Sequence, residues 1–184
     1  MRLDNWHGPL ALLADYLVIA SAVLAGVHWP AALPLCVLVI GCQQRALASL
    51  MHESCHKTLA RSRPLNNALG KWAAGLPIFQ SHAAYLDSHV LRHHVHLGNP
   101  DLDPDYRQYV AAGLFEVRDR LDFVLHLART LLLLNLPAYV RYLVVNRLSA
   151  IWRRPAEAAG LLLVHGVLAA VLTAVAGPFG YFIF

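Results

Sequence analysis

Residues 9–50 read PLALLADYLVIASAVLAGVHWPAALPLCVLVIGCQQRALASL. Residues 10–28 are almost wholly aliphatic, with Asp15 the one acid, and Trp29-Pro30 closes the run before a second apolar stretch begins. About 20 helical residues at 1.5 Å each cross the hydrocarbon of a bilayer. Residues 10–28 and 31–50 are therefore two spans joined by a tight hairpin, with Trp29 at the interface, where an indole is comfortable. Composition agrees: 58% of the chain is apolar, 14% is charged and the mean hydropathy is +0.48. A soluble domain is typically about 25% charged. The fold class is an all-α integral membrane protein.

Working outward, residues 158–176 form a third apolar run of spanning length, entered just after Arg153-Arg154. Gly177-Pro178-Phe179-Gly180 is a turn signal, and Tyr181 to Phe184 look like the first turn of a returning helix. The chain reads as cut at the start of a fourth span, and residues 1–184 as one incomplete membrane domain. The first run is too long, and too poor in preceding positive charge, for a removable signal peptide. Gln43, Gln44 and Arg45, late in span two, are expected to face a protein interior and not lipid.

Thirteen of the fifteen Lys and Arg lie in residues 51–157, and the turn between the first two spans has none. The positive-inside rule puts residues 51–157 in the cytoplasm, and Arg2 agrees with that orientation. Within the segment, residues 73–79 are apolar but too short to span, and read as an interfacial or re-entrant piece. Arg118, Asp122, His126 and Arg129 recur at helical spacing among Leu, Phe and Val, in a pattern that continues past Pro137 toward Arg147. A helix lying in the membrane surface fits. The net charge of +4 is a loop bias and indicates no nucleic-acid partner, and Cys36, Cys42 and Cys55 form no C-x-x-C pair and imply no disulfide framework.

Eleven histidines need an explanation in such a chain, because an imidazole beside lipid must be held by hydrogen bonds or a metal. Residues 51–56 read MHESCH, which is both H-E-x-x-H and H-x-x-x-H. His52 and His56 lie about 40° apart around a helix, the geometry for two imidazoles on one ion. As a zinc-protease motif it would make Glu53 the general base. Residues 88–105, SHVLRHHVHLGNPDLDPD, separate the two readings. They place His89, His93, His94 and His96 within eight residues, where a mononuclear zinc protease needs only one further ligand. Imidazole-rich coordination with open positions suits iron as well as zinc. Asp101, Asp103 and Asp105 either accept from the ring N–H groups or cap and solvate a loop.

H-x-x-x-H soon after a two-span hairpin, then H-x-x-x-H-H, then D-P-D, resembles the membrane fatty acid desaturase superfamily and its relatives the carotenoid hydroxylases and ketolases. The match runs from His52 to Asp105 and includes HESCHKTLARSRPLNNALG, residues 52–70. The resemblance implies a helical membrane enzyme with a cytoplasmic di-iron centre. It would activate O2 with electrons from a ferredoxin- or cytochrome-type donor and remove hydrogen from an unactivated C–H of an acyl lipid, giving a double bond or a hydroxyl. By the same resemblance His52, His56, His89, His93 and His94 are the metal ligands, while His96 matches no required ligand. The family's third box, roughly H-x-x-H-H, has no counterpart in these residues, so the expectation is desaturation impaired in this chain. The rivals are a lipid or carotenoid hydroxylase, an intramembrane zinc protease using His52, Glu53 and His56, and a non-catalytic metal- or lipid-binding chain. His7, His28, His82, His126 and His165 are expected to fill ordinary packing or interfacial roles.

Overall fold

The protein is described by a computed structural model that covers residues 3–113 and 115–184. Arg2 lies outside the described residues, as does the side chain of Arg147. All regular structure among them is helical. In chain order the α-helices are α1 (His7–His28), α2 (Leu33–Cys55), α3 (Arg63–Ala68), α4 (His82–Tyr85), α5 (Pro104–Ala111), α6 (Arg120–Leu131), α7 (Leu136–Tyr142), α8 (Ser149–Trp152), α9 (Pro155–Ala176) and α10 (Gly180–Ile183). The segments α1, Pro30–Cys55 and α9 are long and apolar enough to cross a membrane. The chain divides into two compact units, one comprising the residues up to His82 together with Ile151–Phe184, the other Ala83–Ala150.

In the first unit α1 and α2 form the hairpin. Leu12, Ile19 and Val23 of α1 and Cys36, Ile40, Leu47 and Met51 of α2 are buried, at the spacing of one stripe per helix. Helix α2 does not stop where the apolar run stops. It continues through His52 to Cys55, so the first histidine box is built as the end of a span. The helix closes in a Schellman turn: Thr58 N–H donates to the Glu53 carbonyl (3.0 Å) and Lys57 N–H to that of Ser54 (3.0 Å). Lys57 takes the left-handed conformation at φ 65°, which costs a residue with a Cβ about 1–2 kcal/mol.

Residues 73–79, the short apolar piece, belong to a buried irregular segment. Leu69–Gly75 winds as a wide i→i+5 turn, Leu76–Ile78 tightens to 3-10, and Phe79 reverses at φ 57°. Ala74 and Leu76 are fully buried, and the Tyr16 hydroxyl of α1 donates to the Ala73 carbonyl at 2.6 Å. Gly70 permits the close approach, because a Cβ there would stand 2.0 Å from Ser54 Oγ.

One buried polar cluster ties this segment to the end of α2. Asn66 Oδ1 accepts from the N–H groups of Leu59 (3.1 Å) and Ala60 (3.3 Å), and its Nδ2 donates to the Ser54 carbonyl (2.8 Å). Ser54 Oγ donates to the Asn66 carbonyl (2.7 Å) and accepts from His82 Nε2 (3.0 Å). Burial lowers the His82 pKa below its ordinary value, with the charges of Lys57 and Lys71 acting in the same direction and Glu157 against it. In the third span, His165 Nε2 donates to the Leu76 carbonyl (3.1 Å) and Nδ1 accepts from the Tyr181 hydroxyl (2.7 Å), with the ring stacked on Phe79. The expected polar patch of span two is divided. Gln44 donates to the Phe184 carbonyl, whereas Arg45 is exposed on this chain and donates to Ser49 Oγ at 2.7 Å.

In the second unit the helical pattern of residues 118–147 is interrupted. Helix α6 ends at Leu131, Leu133 turns left-handed at φ 57°, and α7 starts with Pro137 in its first turn. A proline ring clashes with the carbonyl four residues back, so an unbroken helix would have set Pro137 against Leu133. Leu121, Phe123, Val124 and Leu127 of α6 are all exposed.

Thermal unfolding of the detergent-solubilised chain tests the buried cluster. Asn66→Ala leaves several buried partners unmatched and is expected to cost about 1–3 kcal/mol. Because the folded-state pKa of His82 is lowered, its share of stability is present above the unfolded value of about 6.5 and is lost as pH falls below it. The drop in Tm between about pH 7.5 and 5.5 should therefore be smaller in His82→Gln than in the parent.

Candidate metal centre

The first box belongs to the unit of the spans. His52 sits in the last turn of α2 and His56 is its C-cap, and their rings lie 4.5 Å apart at 55°. Both side chains are half-buried. Glu53, between them, accepts from His52 Nδ1 at 3.3 Å and from the Thr58 hydroxyl at 2.6 Å.

The second box belongs to residues 83–150. Leu86–His93 is wound as a π-helix, and the His94 N–H donates to the His89 carbonyl (3.0 Å), an i→i+5 bond. An α-helix would turn His94 about 100° away from His93. The wider turn instead brings positions i, i+4 and i+5 together. His93 stacks on His89 (5.1 Å, 22°) while His94 Nε2 lies 3.1 Å from His89 Nε2. Wide turns of this kind are rare and cluster at functional sites.

Downstream, the loop of residues 94–103 is folded by its own polar groups. Asn99 Oδ1 accepts from the N–H of Asp101 (2.9 Å) and of Leu102 (3.0 Å). Gly98 adopts φ 76° and donates its N–H to Asp103 Oδ2 at 2.9 Å. Asp103 is fully buried and is the N-cap of α5, its Oδ1 accepting from the N–H groups of Asp105 (2.9 Å) and Tyr106 (3.0 Å). The same oxygen accepts from His93 Nδ1 at 2.8 Å. Burial alone would push the Asp103 carboxyl up. The donors Tyr106, Gly98 and His93 outweigh it and hold the group well below the usual carboxylate range. Asp105 accepts from His89 Nδ1 at 2.9 Å. Asp101 is exposed and its backbone serves the loop.

Cap and ring therefore share one carboxylate. With Nδ1–H donated to an acid, His89 and His93 are each fixed in the tautomer whose Nε2 carries the lone pair a metal takes. Asp105 Oδ2 stands beside Nδ1 of both rings, 2.9 Å from His89 and 3.9 Å from His93, on the side away from Nε2. The 3.1 Å between the Nε2 atoms of His89 and His94 suits two ligands of one ion at metal–imidazole lengths of about 2.0–2.1 Å. The donor set fits a first-row metal. Ser54, Asn66, Asn99 and Thr58, which hold these rings and turns in place, carry no spacing signal of their own. Their roles rest on contacts made around loops.

Residues 28–184 match the family model described as fatty acid desaturase. The chain is also similar to dihydrorhizobitoxine desaturase of Bradyrhizobium elkanii, at 38% identity over 158 residues, which cover 81% of this chain and 43% of that protein. It thus spans less than half the length of that relative. No solved structure matches it.

The double duty of Asp103 sets a test. Asp103→Asn keeps an N-cap acceptor but weakens the hold on His93, so the affinity of the purified chain for cobalt(II) should fall about 10–100-fold with little change in helix content. Asp103→Ala should lose that affinity and also about 0.5–2 kcal/mol of stability.

Proposed function

Because the chain belongs to the fatty acid desaturase family, we propose that it serves O2-dependent, iron-centred desaturation of a fatty acyl chain or related lipid. The observation that supports the reading is the pair of carboxylates on Nδ1 of His89 and His93, which favours the tautomer with the lone pair on Nε2. By the family resemblance His52, His56, His89, His93 and His94 hold the iron. When bound, it supplies O2 activation and the removal of hydrogen from an unactivated C–H.

The protein's own residues do the positioning. Asp103 and Asp105 hold ring tautomers, and the cluster of Ser54, Asn66 and His82 braces the end of α2 that carries the first box. We place residues 51–157 on the cytoplasmic side, on the strength of Lys57, Arg61, Arg63 and Lys71 immediately after span two. A soluble ferredoxin- or cytochrome-type donor would reach the boxes there.

The zinc-protease reading uses Glu53 as the base for a bound water and leaves the histidines of the second box without a task. The purified chain in lipid nanodiscs, loaded with iron and given a reductant, should consume O2 and introduce a double bond or hydroxyl into an acyl lipid. Two results would overturn the proposal. One is a single tightly bound zinc with proteolysis lost in Glu53→Gln and kept in His93→Ala; the other is iron loading with no O2 consumption above the level of His93→Ala.

A further inference from the structure

Glu53 follows the first histidine of the first box and meets a hydrogen-bond partner at each carboxylate oxygen. Glu53 Oε1 stands 3.3 Å from His52 Nδ1, and Oε2 accepts from Thr58 Oγ1 at 2.6 Å, with the Glu53 carbonyl 2.9 Å from the same hydroxyl. Thr58 reaches back because the chain reverses at Lys57, in the left-handed conformation. That turn is secured by several bonds. Thr58 N–H donates to the Glu53 carbonyl, Lys57 Nζ to Asn67 Oδ1 (3.3 Å), and Arg63 Nη1 to the Lys57 carbonyl (3.3 Å). A non-glycine residue held left-handed marks a turn whose surroundings over-determine it.

We propose that Glu53 is a positioning residue of the first box, keeping the proton of His52 on Nδ1 so that Nε2 carries the lone pair, and that Thr58 fixes the carboxylate for this task. The arrangement repeats on a short local turn what Asp105 and Asp103 do for His89 and His93 in the second box. A ligating histidine whose other nitrogen is not held loses orientation and basicity. The inference rests on the reading that His52 is a metal ligand, and goes beyond it in giving the H-E-x-x-H glutamate a function other than proteolytic base.

The test uses the full chain in detergent, labelled with 15N-histidine and probed with cobalt(II). In the parent without metal, the His52 ring should show the spectrum of an Nδ1-protonated tautomer, identified by its loss in His52→Gln. Glu53→Ala and Thr58→Val should each shift that ring toward a tautomer mixture and weaken cobalt(II) binding about 10–100-fold. Thr58→Ser should restore both, while Glu53→Gln, like Asp103→Asn, keeps an acceptor for the ring N–H and should retain the tautomer but lower the affinity. A merely structural glutamate would move the Tm and leave the His52 tautomer unchanged. Should Glu53→Ala fold poorly, Thr58→Val carries the test, since it removes one hydroxyl at an exposed position. Parental cobalt(II) affinity and an unchanged His52 spectrum in Thr58→Val would overturn the proposal. Parental affinity in His52→Ala would instead overturn the assignment of His52 as a ligand.

Discussion

The hydrogen bond from His93 Nδ1 to the buried Asp103 carboxylate joins folding to chemistry in this protein. An imidazole offers a metal one nitrogen only when its proton rests on the other. Asp103 meets that condition and at the same time caps α5, so the helix that follows the box is started by the group that orients it. Gly98 and Asn99 fold the intervening loop so that the carboxylate arrives from ten residues away. The π-winding of Leu86–His93 then sets His89, His93 and His94 together. Without the carboxylate the ring would be a half-buried histidine with no preferred tautomer.

The other governing constraint is hydrocarbon. Backbone polar groups at membrane depth must be satisfied within the protein, which accounts for the long uninterrupted α1, α2 and α9. The irregular segment of residues 69–79 is tied by the Tyr16 hydroxyl and by His165. Extending α2 past its apolar part exposes the first histidine box at the end of a span. Asn66 and Ser54 satisfy the polar groups there that would otherwise be buried without partners. The polar cluster and the box are consequences of one helix end.

Much of this was legible in the sequence, for reasons that differ by element. The three spans are written in unbroken apolar runs, because lipid tolerates little else over that length. The box histidines are written in i, i+4 spacing. The break at Leu133 was missed, because the amphipathic pattern runs through it, although Pro137 stands four residues on. The π-winding of the second box was not legible, since nothing in SHVLRHHVHLG distinguishes an i→i+4 from an i→i+5 ladder. The partners of Ser54 lie twelve and twenty-eight residues away, and such contacts depend on a fold that spacing alone does not specify. Arg45 shows the reverse case: a charge in a span called for a protein interior, and this chain leaves it exposed beside Ser49. Family membership rests on residues 28–184, while the geometry supplies the reasons why individual rings are held as they are.

Ligation of iron through Nε2 by box histidines oriented through Nδ1 is visible in the iron K-edge X-ray absorption of the full chain loaded with iron(II). The expected spectrum is dominated by imidazole nitrogens, with that contribution reduced in His93→Ala and in His52→Ala. Iron surrounded by oxygen alone, with a spectrum unchanged in both variants, would contradict it.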